Sequence, residues 1–88
     1  LKITILVIAI SIALYSTGIA NELVPRSISP LDEWTCPKSH PIKGNINSRK
    51  KTMIYHAPGG YYYDRTKPEK CFISEQDAKA AGFRRSKR

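Results

Sequence analysis

Acidic residues are scarce in this chain: seven Asp and Glu stand against fifteen Lys and Arg among 88 residues, a formal net charge of +8. The shortage is uneven. Residues 36–88 carry thirteen of the basic residues and only four of the acidic ones, whereas residues 1–35 are slightly acidic. Enzyme signatures are lacking too. No G-x-S-x-G, no H-E-x-x-H and no glycine loop able to cradle a phosphate occurs, which excludes the mechanisms those motifs serve and argues against catalysis. Length is also short: 88 residues leave room for one small domain, whose limited apolar core leans on a covalent or metal staple. Only two cysteines, Cys36 and Cys71, are there to provide one.

The one long apolar run is Ile3 to Leu14, preceded by a single positive charge at Lys2. Polarity rises after it, and Gly18 and Ala20 set small residues where a signal peptidase reads an A-x-A-like site before Asn21. Leu1–Ala20 is also nearly long enough for a membrane-spanning hydrophobic helix, which needs about 20 apolar residues. Residues 1–20 are therefore a signal peptide or a membrane anchor. Either arrangement leaves Lys2 on the inside and the basic part translocated, so the expected location is extracytoplasmic: secreted, periplasmic or anchored to the plasma membrane. Residues 21–35, with Pro25, Ser27, Ser29 and Pro30, read as a linker ending near Trp34.

Residues 36–88 read as a small α+β domain: an antiparallel hairpin or three-stranded sheet with one short C-terminal helix. From Cys36 to Ser48 the turn formers Pro37, Pro41, Gly44, Asn45, Asn47 and Ser48 predict irregular chain. Thr52–His56, β-branched and aromatic, is the best strand. Pro58-Gly59-Gly60 is a strong turn, with Tyr61–Tyr63 beyond it as the expected antiparallel partner. Lys70–Ile73 adds a short third strand. Ser74 stands at an N-cap with Asp77 three residues on, opening a helix over Glu75–Ala81. Gly82 is placed as a left-handed C′ residue, with Phe83 folding back over Ala78 in a Schellman end. A helix so brief must dock Ala78, Ala81 and Phe83 on the sheet.

Cys36, His40, His56 and Cys71 form a legal zinc inventory, although only Cys36 and His40 have the close spacing that structural sites favour. Two cysteines in an exported protein more commonly pair. A Cys36–Cys71 disulfide would close a loop of roughly 36 residues and, in the chain-entropy account, stabilise by about 4 kcal/mol. The expectation is that disulfide and no cofactor, with zinc as the alternative. His56 could serve as a general base with Asp64, Glu69 or Glu75 beside it, but a strand-end histidine hydrogen-bonded within the domain is the simpler reading. His40 reads as an exposed loop residue.

Three sequence groups carry a family resemblance: Gly44-Asn45, Tyr55-His56-x-Pro58-Gly59, and Phe72-x-Ser74-Glu75-x-x-Ala78-x-Ala80-Ala81-Gly82-Phe83-Arg84. Over residues 36–88 they resemble the small sunset-type bacterial domain of short exported proteins. They also resemble the zinc-binding domain of the adaptive-response DNA repair protein and the C-terminal tails of secreted nucleases. Those zinc-type relatives carry a cysteine after the Pro-Gly turn and a Cys-Lys-x-Cys ending. Gly60 and Ser86-Lys87-Arg88 stand here instead, so the resemblance carries over a fold and a location and no metal site.

Aromatics interleaved with bases are what single-stranded nucleic acid sites use. Tyr61 and Tyr63 are stacking candidates, with at least one tyrosine of Tyr61–Tyr63 turned inward by alternation. Arg49, Lys50, Lys51, Arg65, Lys67, Arg84, Arg85, Lys87 and Arg88 are candidates for binding a polyanion. The expected function is an exported or membrane-anchored, non-catalytic binding module for a polyanion such as nucleic acid. The alternative is a structural cell-envelope protein touching anionic lipid or wall polymer, and a nuclease fragment is a third class. Cleavage before Asn21 predicts a mature chain starting there, which intact mass or N-terminal sequencing checks; a membrane-bound chain retaining Leu1–Ala20 would show the anchor instead.

Overall fold

The structure is a computed structural model that describes residues 24–88. The expected hydrophobic helix at 1–20 lies outside the described residues. Five strands make one mixed sheet: β1 (Ser27–Ile28), β2 (Ile42–Asn47), β3 (Thr52–His56), β4 (Lys70–Phe72) and β5 (Arg84–Arg85), in the spatial order β1-β4-β2-β3-β5. All neighbours are antiparallel except β3 and β5, which run parallel. One short helix, α1 (Glu75–Ala80), lies between β4 and β5 in the chain.

The principal strand pairing differs from the sequence expectation. The partner of β3 is the upstream β2, in register from Lys43 opposite His56 to Asn47 opposite Thr52. Tyr61–Tyr63 form no strand. After β3 the chain coils through successive tight turns, with Gly60 N–H donating to Ala57 O, Tyr63 N–H to Gly60 O and Thr66 N–H to Tyr63 O, ending in a single 3-10 turn at Tyr63–Arg65. With β2 on one edge of β3 and β5 on the other, no edge is left for the tyrosines to pair with.

Strand β2 forms against its own composition because tertiary partners take up each weak residue. The Asn45 side-chain amide donates to Lys67 O at 2.9 Å, and Asn47 Oδ1 accepts from Lys50 N–H at 3.0 Å, starting the turn into β3. Glu69 extends the pairing beyond β4: its N–H donates to Gly44 O at 2.9 Å, and its carboxylate accepts from Ile46 N–H at 2.8 Å. Lys51 closes the turn with a φ of 55°.

Helix α1 follows the sequence reading closely. Ser74 Oγ accepts from Asp77 N–H at 3.1 Å. At the other end Gly82 has a φ of 96°, and its N–H bonds Lys79 O while Phe83 N–H bonds Ala78 O, the paired bonds of a Schellman end. That end aims Phe83 back over the sheet. Ile42, Tyr55, Phe72, Ala78 and Phe83 form the buried cluster, in which Phe72 and Phe83 meet edge to face with centroids 5.1 Å apart. Ala81, expected to dock, is exposed.

Strand alternation places Ile42, Gly44, Tyr55 and Phe72 on the helix-facing side, with Lys43, Ile54, His56 and Cys71 on the other. Gly44 is where the two phenyl rings reach the backbone. A Cβ there would lie 2.7 Å from Phe72 Cε2 and 3.0 Å from Phe83 Cε2. Both rings are buried and clamped against each other, so neither can yield. Gly44→Ala should cost about 1–3 kcal/mol by overpacking, read as a lower denaturant midpoint; an unchanged midpoint would show that the rings move aside.

Candidate polyanion-binding surface

The second face of the sheet is held by the disulfide Cys36–Cys71, with a sequence separation of 35. Beside it Lys43 is buried, only 3% exposed. Its ammonium donates to Tyr63 O at 2.8 Å and Thr66 O at 3.1 Å, and it lies 4.4 Å from the Tyr63 ring centroid. Burial pushes the Lys43 amine below its ordinary pKa, and the Asp64 and Asp32 carboxylates pull it partly back. Tyr63 is thereby committed inward, its hydroxyl also donating to Pro41 O at 2.6 Å. Lys43 organises the tyrosine loop, a role with no signal in the sequence, where it is one lysine among many.

All nine candidate cationic residues are exposed. The fold sorts them into groups. Arg49, Lys50 and Lys51 occupy the β2–β3 turn at one end of β3. At the opposite end the coil after β3 carries Tyr61, with the Arg65 guanidinium 6.0 Å and the Arg88 guanidinium 5.5 Å from its ring centroid. Arg88 arrives there because β5 runs parallel to β3, pairing Arg84 with Ile54 and Arg85 with Tyr55. Ser86 N–H continues the ladder to Tyr55 O at 2.9 Å. The first part of the basic tail is thus stitched into the sheet. Tyr61 and Tyr62 are the exposed tyrosines, packed edge to face at 4.7 Å.

Two of the cations are partly neutralised. Lys67 pairs with Glu33 at 2.6 Å and lies 4.9 Å from the Trp34 ring centroid, while Arg85 pairs with Glu75 at 2.8 Å. Glu75 also accepts from the Tyr55 hydroxyl at 2.9 Å, so Arg85 is tied to the core through one carboxylate. The other seven candidates have no carboxylate partner among the described residues.

The histidines depart from the sequence reading. His40 is buried, 5% exposed, because the chain before β1 folds over it: Nε2–H donates to Pro25 O at 2.7 Å, leaving Nδ1 to accept from the Ser39 hydroxyl at 2.9 Å. His56 ends β3 as expected, but its Nδ1 is buried without a hydrogen-bond partner. Burial, and secondarily the Lys43 charge, push its imidazole below the ordinary pKa. Of the acids that could have assisted His56 as a base, Glu69 is engaged by Ile46 N–H and Glu75 by Tyr55 and Arg85. Of the alternative zinc set, Cys36 and Cys71 are joined to each other, and among the described residues no three His, Cys, Asp or Glu gather to hold a metal. No helix among the described residues is long and apolar enough to cross a membrane.

Beneath the Ala57–Gly60 turn lies a cavity of about 260 Å³ walled by His56, Gly59, Gly60, Arg85, Ser86 and Arg88 among others. A second, of about 350 Å³, adjoins the disulfide and is lined by Trp34, Tyr63, Asp64 and the buried Lys43. Neither is visible as a motif, since the first joins two separate segments, residues 55–60 and 85–88, and the second joins three.

A disulfide-stapled domain of one mixed sheet and one short helix, basic at both ends of its hairpin, is the class these features define. The chain belongs to the ArfC family, whose model matches residues 20–85, reaching from the segment before β1 through β5. No solved structure matches the chain.

The His56 environment gives a pH signature. Its folded pKa lies below the unfolded value of 6.5, so the unfolded chain takes up the proton first as pH falls. The stability from a neutral His56 is complete above that value and declines as pH drops through it toward the folded pKa. His56→Gln should flatten the fall of the thermal midpoint between about pH 7 and pH 5, measured by circular dichroism at several pH values; an equally steep fall would place the titration elsewhere.

Proposed function

We propose that this protein is an exported, non-catalytic module that binds a polyanion, with nucleic acid as the partner its surface suits best. The observation that carries this reading is the exposed set of seven cationic side chains without carboxylate partners among the described residues: Arg49, Lys50 and Lys51 at one end of the β2–β3 hairpin, Arg65 and Arg88 beside Tyr61 at the other, and Arg84 and Lys87 on the basic tail that runs along β3 between them. Unpaired surface cations attract a phosphate backbone by releasing its counterions. Tyr61 and Tyr62, exposed beside Arg65 and Arg88, add aromatic faces of the kind single strands stack on. The engagement of Glu69 and Glu75 elsewhere supports binding over catalysis. Export is supported by the disulfide, a bond that persists in oxidising compartments, together with the apolar run at residues 3–14. The resemblance of residues 36–88 to the sunset-type domain points the same way.

Affinity for short DNA or RNA should fall steeply with salt, log K declining against log salt by about 0.7 to 0.9 per phosphate contacted. Replacing Arg49, Lys50, Arg65 and Lys87 together by Ser should weaken binding alike across sequences, as expected for phosphate contacts, and leave the thermal midpoint nearly unchanged. Arg84 and Arg85 are unsuited to this test because their backbone is part of the sheet. Fluorescence anisotropy in a salt series reads both effects. No binding to nucleic acid at low salt, with retention on anionic vesicles or acidic wall polymer, would overturn the nucleic-acid reading in favour of an envelope role.

A further inference from the structure

The cavity beneath the Ala57–Gly60 turn is a half-enclosed recess in the basic surface. Its volume of about 260 Å³ is below the roughly 300–1,000 Å³ of sites for drug-sized ligands. It suits a single oxyanion with part of its ester, and it is too small for a polymer backbone to thread. No Asp or Glu is among its lining residues, which include Arg85, Arg88, Ser86 and His56.

Its cationic walls are held in place before any ligand arrives. Arg85 is fixed by Glu75 at 2.8 Å, and Arg88 lies 5.5 Å from the Tyr61 ring centroid. Ser86 accepts from Arg88 N–H at 3.3 Å through Oγ, which leaves its hydroxyl hydrogen to donate. Gly59, with a φ of 88°, has nothing within 4 Å of where a Cβ would stand, so the turn leaves its backbone open to approach. His56 Nδ1 is the buried side-chain polar atom left without a partner among the described residues, and His56 lines this same cavity. The cavity beside the disulfide offers none of this: Asp64 lines it, and the Lys43 ammonium is already spent on two carbonyls.

We propose that this cavity is a seat for one terminal phosphate, a phosphomonoester, gripped by Arg85 and Arg88 with Ser86 donating. A monoester is favoured over the diester of a chain interior by charge. It carries about −1.5 to −2 at neutral pH, against a diester's single negative charge, and meets Arg88 together with an Arg85 whose own charge is shared with Glu75; size points the same way, since a chain interior would have to pass through a space of about 260 Å³. Planar guanidinium groups bind such oxygens in paired, charge-assisted hydrogen bonds. The seat rests on the polyanion reading and gives it a polarity: the module engages a chain end, with the remaining cations following the strand.

The test uses a short single-stranded oligonucleotide with a 5′-phosphate, the same sequence with a 5′-hydroxyl, and inorganic phosphate alone, all at constant ionic strength. The 5′-phosphorylated strand should bind about tenfold tighter, the gain expected of roughly one additional charge-assisted contact. Inorganic phosphate should shift the amide resonances of Gly59, Gly60 and Ser86 and leave those of Ser48–Lys51 in place. Arg88→Gln should abolish the preference for the phosphorylated strand, while Arg49→Gln should weaken both strands equally and keep it. Both substitutions lie on exposed side chains, and an unchanged unfolding midpoint confirms the fold. Equal affinity for the two strands overturns the seat while leaving general polyanion binding intact. Phosphate shifts at the glycine turn without any affinity for nucleic acid would uphold the seat and overturn the nucleic-acid partner. Shifts confined to the β2–β3 turn would overturn the seat outright.

Discussion

Cys71 concentrates the constraints on this fold. It sits in β4 between β1 and β2, fully buried, opposite Lys43 on one side and Ile28 on the other. Its sulfur reaches out of the sheet to Cys36, so the segment between β1 and β2 is tied to the middle of a strand that arrives 35 residues later. In the chain-entropy model such a link removes about 4 kcal/mol of freedom from the unfolded chain. That is comparable to what a core this small supplies by itself. The short β1, the enclosure of His40 and the covering of Lys43 all lie on chain that this bridge holds against the sheet.

The opposite face depends on packing of a different kind. A two-ring contact, Phe72 on Phe83, closes directly over a strand backbone because Gly44 has no side chain. The left-handed Gly82 turns the chain so that Phe83 can get there. The same reversal sends residues 84–86 alongside β3, and so the device that ends the helix also delivers Arg85 and Arg88 to the Ala57–Gly60 turn. The packing of the core and the composition of the basic cavity are consequences of one change in chain direction.

Lys43 links the two faces. It belongs to the strand whose Ile42 and Gly44 serve the core, yet its own side chain crosses the other face to bind Tyr63 and Thr66 carbonyls. A buried ammonium needs such partners. In meeting that need it fixes the start of the Tyr63–Thr66 turn, keeps Tyr63 inside and leaves Tyr61 and Tyr62 outside. The exposed aromatic face of the proposed binding surface therefore follows from a buried charge.

The sequence alone determined what depends on local chemistry. The Ser74 cap, the Gly82 reversal and the Phe83 contact with the helix end were legible because capping and left-handed glycine are properties of a few consecutive residues. β3, the short strand near Lys70 and the Cys36–Cys71 pair were legible for similar reasons: side-chain branching, and a count of two. Tertiary structure decided the rest. Ile42–Asn47 is rich in turn formers and becomes a strand only through distant partners at Lys67 and Glu69. Tyr61–Tyr63 have strand-like composition and coil, because both edges of β3 are occupied by chain that no local window contains. The basic residues were visible as a count. Their division between two ends of a hairpin, and the enclosure of two of them around one cavity, depend on which strand lies beside which, a matter of long-range pairing that composition does not encode.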